Sequence, residues 1–233
     1  MKNETAGRKK KSPPAPAGTG ATPKSEATRQ RIIAAARRVF TRHPYHAASI
    51  RMIGEEGGFD FSIIHHYFTK AELFRAVCEQ LYGELITAYL EWIDGLERLP
   101  SREGLKIYFD RAMDYLFENP DVMEVLTRNT GHMKIDPELP GFDYFTRFFR
   151  EIEAIFLKKN NVLTMRAEVS MWSYTMMALQ TGFVGAAAYH GKALGMEPRS
   201  KEYRSWVKQA LLYIFAPPLE KLIQQAIEKR RSL

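Results

Sequence analysis

The chain has 233 residues, 45% of them hydrophobic, which is enough to build a real core. No apolar run approaches the length of a membrane-spanning helix, and the polar N-terminus does not resemble a signal peptide, so we expect no membrane partner. The net charge is +7, and the single cysteine, Cys78, excludes an intrachain disulfide and favours a cytoplasmic protein.

The positive charge is concentrated near the N-terminus. Residues 1–76 carry 14 Lys and Arg against 6 Asp and Glu, a net charge of +8, whereas the remaining 157 residues carry 20 against 21, a net charge of −1. This asymmetry is typical of a nucleic-acid-binding module joined to a neutral one.

Residues 1–24 are the first predicted segment, and they are rich in Lys, Pro, Gly, Ala and Ser. Because it has almost no apolar side chain larger than alanine, the segment is predicted to be a disordered basic arm. Its run from Arg8 to Lys11 could follow a phosphate backbone, and a solubilising tail without a specific contact is the alternative.

The first predicted helix covers Ser25 to Arg42. Apolar residues recur along it at helical spacing, at Ile32, Ile33, Ala36, Val39 and Phe40. Thr28 could cap this helix or place its hydroxyl near a phosphate. Pro44 cannot continue a helix, so it marks the break that follows.

The stretch from Ser49 to Lys70 has the pattern of two short helices around a glycine turn. Ser49 is a predicted cap for the first helix, Gly57-Gly58 supplies the turn, and Asp60 is a predicted cap for the second. The second helix is expected to be held by Phe59, Ile64 and Phe68. Its outer face is then shared by Phe61, Ser62, Ile63, His65, His66 and Tyr67. This pattern indicates a helix-turn-helix, which presents one helix to a DNA groove.

A long helix at 70–96 follows, and further helices are predicted at 102–117, 120–129, 141–159, 164–190 and 201–229. Pro217-Pro218 is expected to kink or interrupt the last of them. No segment beyond residue 100 shows strand-like alternation. We therefore predict an all-α protein with a three-helix domain at 25–76 and a larger helical domain at 77–233.

Residues 28–77 resemble the N-terminal DNA-binding domain of the tetracycline-repressor (TetR) family of bacterial transcription regulators. The matching residues, in chain order, are Thr28-Arg29, Ile32, Ala35-Ala36, Val39-Phe40, Ser49-Ile50-Arg51, Ile53, Gly58-Phe59, Ile64-His65-His66-Tyr67-Phe68, Lys70 and Leu73. The chain departs from the family pattern at Pro44, where glycine is usual. Phe61 and Ser62 also depart from it, since lysine and glycine are frequent there.

The resemblance implies a homodimer that binds a pseudo-palindromic operator of double-stranded DNA. Carried over residue by residue, it implies backbone contacts from Thr28, Ser49, Arg51, His65, His66, Tyr67 and Lys70, with Arg51 also suited to a guanine edge. It places Phe61, Ser62 and Ile63 at the bases, where an apolar side chain can pack on a thymine methyl group. The two adjacent histidines are not expected to hold a metal, because neighbouring side chains on a helix point about 100° apart.

The resemblance also implies a small-molecule effector bound among the helices of the larger domain. The many aromatic and methionine side chains there favour a hydrophobic or aromatic effector, and ordinary core packing is the alternative. The candidate pocket residues are Tyr115, Arg128, His132, Phe145, Phe149, Trp172, Thr175, Met176 and Gln180.

The last two predicted helices carry a candidate dimer interface. Small residues from Thr181 to Ala188 would let another helix approach closely, and the resemblance favours a two-fold interface here. A buried hairpin of core helices is the alternative. The candidate interface residues are Gly182, Gly185, Ala186, Trp206, Leu211 and Phe215.

We therefore predict a ligand-responsive transcription regulator, not an enzyme, with no cofactor and no metal. Repression is the commoner outcome in the family, and the effector is expected to change the spacing of the two recognition helices through helix 70–96. Two alternatives stay open: an all-α small-molecule carrier or enzyme, and an architectural DNA binder that ignores sequence.

Overall fold

The computed structural model describes residues 23–131, 138–160 and 162–231. Within these ranges the chain is all-α and has no strand, which confirms the predicted fold class. The helices are α1 (Pro23–Arg42), α2 (Ile50–Gly57), α3 (Phe61–Tyr67), α4 (Lys70–Trp92), α5 (Ser101–Glu118), α6 (Asp121–Thr130), α7 (Asp143–Lys159), α8 (Arg166–Gly185), α9 (Ala187–Leu194) and α10 (Lys201–Arg231). Short 3-10 turns at Leu96–Arg98 and Leu163–Met165 precede α5 and α8.

The first three helices pack together at the N-terminal end of the described chain, and we call them the small domain. Helix α1 packs on α2 and on the start of α4, because its apolar stripe faces inward. The fully buried residues that hold these helices together are Ile32, Ala35, Ala36, Phe40, Ile53, Ile64 and Phe74. Helix α1 begins at Pro23, two residues before the predicted start, and the rest of the predicted arm lies outside the described residues.

Helix α4 connects the small domain to the rest of the molecule. Thr69 caps it, and Glu72 completes a capping box with the Thr69 backbone, 2.7 Å away. The helix packs on α1 near its start and on α5 and α7 further along. It ends at Trp92 rather than at the predicted residue 96, because Gly95 turns the chain with a φ of 75°.

We call helices α5 to α10 the larger domain. Most of their buried side chains belong to an apolar core that is continuous with that of α1 to α4, and a smaller cluster lies around Leu157, Val169 and Leu222. Helix α5 lies against α10 and α4, and α8 packs on α6, α7 and α10. The prediction of a single helix at 164–190 is wrong, since α8 ends at Gly185 and α9 begins at Ala187. At this junction the backbone is pressed against α6: a Cβ on Gly185 would lie 2.6 Å from the carbonyl oxygen of Met123.

Helix α10 continues through Pro217 and Pro218, so of the two predicted outcomes the interruption is wrong, and the kink stays a prediction. Proline offers no N–H to the carbonyl four residues earlier, which leaves Tyr213 and Ile214 without that donor. All four residues are exposed, so water has access to this side of the helix and can take the place of the missing donors.

Candidate nucleic-acid interface and cavity

The two short helices α2 and α3 each begin at a side-chain cap. Ser49 accepts a hydrogen bond from the backbone of Met52 at 3.2 Å, and Asp60 accepts one from the backbone of Ser62 at 2.8 Å. Gly58 makes the turn with a φ of 68°, a conformation that other residues rarely adopt. A Cβ on Gly54 would lie 2.7 Å from the Phe59 carbonyl, so the small residue also permits the close approach. These caps and this turn confirm the predictions.

Helix α3 buries one side and exposes the other. Ile64 and Phe68 are 0% and 3% exposed and face the core. The residues predicted to form the outer face do so: Phe61, Ser62, Ile63, His65 and His66 are exposed and Tyr67 is half-buried. Phe61 and Ile63 are 60% and 43% exposed, which is high for large apolar side chains. The ring of Phe61 meets that of His65 edge-on, at 6.4 Å between centroids.

Several cations of the small domain are balanced by acids of the same domain. Arg51 is 86% exposed and pairs with Glu55 at 3.0 Å, one helical turn away. Arg38 and Arg42 both bind Glu56, which lowers the pKa of that carboxyl. Thr28 is half-buried and donates to the carbonyl of Lys24. Arg38, Arg42 and Arg51 are therefore partly neutralised by neighbouring carboxylates of the same domain.

Lys70 has a structural role that its sequence position did not reveal. Its Nζ donates to the carbonyl oxygens of Tyr45 and Ala48, at 3.0 and 3.2 Å, and lies 4.3 Å from the centre of the Tyr45 ring. Burial lowers the pKa of this amine. Lys70 thus ties the start of α4 to the segment before α2, and its contact with DNA stays a prediction.

Polar contacts join α6 to the small domain. Arg37 of α1 forms a two-pronged pair with Glu84 at 2.6 and 2.9 Å and also binds Asp121 at 2.8 Å. Arg128 donates to the carbonyl of Thr41 at 2.6 Å. Asn129 also lies at this junction, beside the turn that follows α1. No sequence pattern indicates these contacts, since the partners lie far apart along the chain.

A cavity of about 210 Å³ lies between α4, α5, α7, α8 and α10. Its wall is mainly apolar and includes the rings of Tyr89, Tyr108, Phe156 and Trp172, together with Met176. Burial raises the pKa of Tyr108 to about 12, so this phenol is a neutral hydrogen-bond donor at pH 7. Lys159 and Glu97 also line the cavity and lie 3.7 Å apart as an ion pair.

Only part of the predicted pocket set lines this cavity. Trp172 and Met176 do, and Gln180, which lies one turn beyond Met176 on α8, does not. Gln180 is 5% exposed, and its Nε2 has no hydrogen-bond partner among the described residues. Sequence reasoning missed Tyr89, Tyr108, Phe156 and Lys159, because helical spacing does not show which apolar face adjoins a void.

The other predicted pocket residues lie elsewhere. Tyr115 packs on Trp92, Phe145 on Phe142 and Phe149 on Tyr174, with ring centroids 5.2 to 5.4 Å apart. Arg128 makes the contact with Thr41 described above, and Thr175 is exposed and donates to the carbonyl of Met171. His132 lies outside the described residues.

The predicted dimer residues divide between surface and core. Leu211 and Phe215 are 0% and 2% exposed and pack inside the chain itself, while Gly185 adjoins α6 as noted. Gly182, Ala186 and Trp206 are half-buried. Large apolar side chains are nevertheless exposed on α8, α9 and α10, at Met171, Tyr174, Tyr189, Tyr213 and Ile214.

None of the described helices is both long and apolar enough to cross a membrane. The described part of the chain also contains no group of three or more His, Cys, Asp or Glu side chains placed to hold a metal ion.

Comparison with known proteins confirms the resemblance. Residues 32–77 match the family model described as bacterial regulatory proteins, tetR family. The fold is similar to a tetR-family transcriptional regulator from Streptomyces coelicolor, with 16% identity, a TM-score of 0.57, and 87% of this chain and 89% of that chain covered. It is also similar to the fatty acid degradation regulator FadR from Bacillus halodurans, with 16% identity, a TM-score of 0.55, and 78% and 93% of the two chains covered. No curated protein matches the sequence.

Proposed function

We propose that this protein is a ligand-responsive transcription regulator of the cytoplasm, because residues 32–77 match the tetR family model and contain a helix-turn-helix. The observation that carries the proposal is the exposed outer face of α3, a short helix that begins at the Asp60 cap and is held against the core by Ile64. A helix presented in this way fits the major groove of DNA. Repression is the outcome we propose.

A homodimer is the proposed binding form. Helix α3 has only 7 residues, and one such helix reads few base pairs, so two copies on a pseudo-palindromic operator are needed for specificity. The exposed apolar side chains of α8 to α10, among them Tyr189 at 72% and Tyr213 at 81% exposure, support an interface between copies there. Gly182 and Trp206 lie on the same helices and remain proposed interface residues.

The cavity beside Trp172 is the proposed effector site. Its apolar wall suits a hydrophobic or aromatic molecule, and its few hydroxyl groups can orient one. We propose that the bound effector lowers the population of the dimer whose recognition helices fit successive grooves.

Helices α4 and α6 are the proposed transmitters of that change. Helix α4 begins at Lys70, shortly after α3, and its last turns, which include Tyr89, lie in the wall of the cavity. Helix α6 packs on α8 and is bonded to α1 through Asp121. A shift of either helix would therefore move the small domain.

Selection of bound sequences from a random pool of DNA duplexes tests the proposal. A defined inverted repeat, bound by a particle with the mass of a dimer, is the expected result. Enrichment of no sequence despite tight binding would instead identify an architectural DNA binder. An absence of DNA binding at low salt would leave a small-molecule carrier or enzyme as the function of the helical domain.

A further inference from the structure

The base-reading part of helix α3 lacks the side chains that usually read hydrogen-bond patterns. In a helix-turn-helix the N-terminal residues of the second helix contact the base edges. Here those residues are Phe61, Ser62 and Ile63, so arginine, lysine, asparagine and glutamine are all absent. Each of those four types can make a two-pronged contact with guanine or adenine, and none of the three residues present can.

The one hydroxyl in this group is already engaged. Ser62 Oγ donates to Asp60 Oδ1 at 2.5 Å, and the Ser62 backbone N–H donates to the same oxygen at 2.8 Å. These hydrogen bonds lower the pKa of the Asp60 carboxyl, so the group is ionised at neutral pH and continues to accept the hydrogen bond from the Ser62 hydroxyl. The Ser62 hydroxyl is therefore not available to donate a hydrogen bond to a base.

The apolar side chains of the group are, in contrast, exposed, and the Phe61 ring has the edge-on contact with His65 described above. Phe61 is 60% exposed and Ile63 is 43% exposed, on either side of Ser62. Positive charge flanks them: Arg31 lies 5.0 Å from the Phe59 ring just before α3, and Arg29 lies 4.2 Å from the Phe68 ring just after it. Residues two positions apart on a helix do not share a face, so Phe61 and Ile63 present two separate apolar contacts. Each is placed to meet a base while the arginines of α1 meet the phosphates.

We infer that Phe61 and Ile63 read the C5-methyl groups of thymines in the major groove. That methyl is the apolar group which distinguishes one base pair from another there. The inference rests on the proposed function and adds the chemistry of the operator: each half-site carries thymines opposite α3. Specificity at these positions comes from methyl contact rather than from hydrogen bonds.

The test uses the full chain and the operator obtained by selection. Single thymines in the half-site are replaced by deoxyuridine, which removes only the methyl group and keeps every hydrogen-bonding atom. Removal of one buried methyl group should weaken binding roughly fourfold, as expected from the transfer free energy of one carbon. Replacing the same T·A pair by C·G should weaken binding further, and 5-methylcytosine in place of that cytosine should restore part of the loss.

A variant completes the test by assigning the contact to a side chain. In F61A, the loss of affinity caused by deoxyuridine should disappear at the thymine whose methyl group contacts Phe61. In I63A, it should disappear at the thymine that contacts Ile63. Both side chains are exposed, so these variants should keep the melting temperature of the parent protein. Deoxyuridine at thymines outside the half-sites is the matched control for the DNA.

Two results would overturn the inference while leaving the regulator intact. One is a defined operator that binds equally well with uracil at every half-site position. The other is a deoxyuridine penalty that F61A and I63A both retain in full. Failure to select any defined sequence would instead reject the proposed function itself, so the two failures are distinguishable.

Discussion

Asn129 accepts a hydrogen bond from the backbone N–H of Tyr45, at 2.8 Å across the junction between α6 and the small domain. The side chain of Asn129 is fully buried, and its Nδ2 donates to the carbonyl of Val125 one turn earlier in α6. One amide therefore fixes the end of α6 against the turn that separates α1 from α2. The hydrogen bond to Val125 is buried and that from Tyr45 is part-buried, so water competes poorly for the Asn129 amide.

Asn129→Ala should lower the stability of the whole chain. The substitution leaves the Tyr45 N–H without its partner, and such a loss costs about 1–3 kcal/mol. For a protein of this size the melting temperature should fall by roughly 2–4 °C for each kcal/mol. Asn119→Ala is the matched control, because Asn119 is exposed and bonds only within its own helix end. Equal melting temperatures for the two variants would contradict the role assigned to Asn129.

Arg37→Ala should also destabilise the junction. The guanidinium binds Glu84 and Asp121 together, and its removal leaves two half-buried carboxylates without their cation. We expect the free energy of unfolding to fall by about 1–3 kcal/mol, a value between those of exposed and buried ion pairs. Arg37→Lys should lose part of this stability, since an ammonium group cannot make the two-pronged contact of the planar guanidinium. Arg38→Ala removes a more exposed arginine and should change the free energy of unfolding by less than about 1 kcal/mol, as measured by urea denaturation.

The caps of α2 and α3 could be predicted because their partners are neighbours in sequence. Ser49 binds a residue three positions away and Asp60 a residue two positions away, so a short pattern contains the whole interaction. The junction of α6 could not be predicted in this way. Asn129 and Tyr45 are 84 positions apart, and nothing in either neighbourhood indicates the other.

The cavity illustrates the same limit for the candidate site. Five helices contribute to its wall, and Tyr89 of α4 meets Trp172 of α8 there only because of how those helices pack. The sequence correctly indicated an aromatic-rich domain, but it placed Phe145 and Phe149 in the pocket when their rings pack elsewhere. Periodicity identifies an apolar face, and only the packing decides whether that face meets a neighbour or a void.

Lys70 and Arg51 should respond differently to substitution, although the sequence pattern predicts a DNA contact for both. Lys70→Met removes the donor from the carbonyls of Tyr45 and Ala48, so we expect a loss of about 1–3 kcal/mol in unfolding free energy. Arg51→Ala removes an 86% exposed side chain and should leave the melting temperature nearly unchanged. Its operator affinity should fall by about 1–3 kcal/mol, measured by fluorescence anisotropy at constant salt. The assignment of Arg51 to DNA fails if the affinity of that variant equals that of the parent.

Removal of residues 1–22 should weaken DNA binding without affecting the fold. The deleted segment contains 5 Lys and Arg against 1 Asp and Glu, while α1 begins after it at Pro23. If the arm binds phosphates, the slope of log affinity against log salt should decrease by about 0.9 for each phosphate that the arm neutralises in the parent protein. Replacement of Arg8 to Lys11 by glutamine should give most of the same change. An unaltered slope in both variants would show that the arm only contributes solubility.

Met176→Trp should block the proposed effector site. Met176 lines the cavity and is 6% exposed, so a larger side chain fills space that a ligand would need. In the parent protein, an apolar ligand at about 100 times its Kd should add about 2.7 kcal/mol of stability, which raises the melting temperature by several degrees. A panel of alkyl and aromatic acids, phenols and polar metabolites, screened by thermal melting, identifies such a ligand.

In Met176→Trp the rise in melting temperature caused by that ligand should disappear, while operator binding without the ligand persists. The comparison uses the rise rather than the absolute melting temperature, because overpacking itself costs about 1–3 kcal/mol. Leu163→Trp is the control, since this side chain is 64% exposed and does not line the cavity. A rise that survives in Met176→Trp would place the ligand elsewhere, and a rise produced only by polar metabolites would contradict the apolar class of the effector.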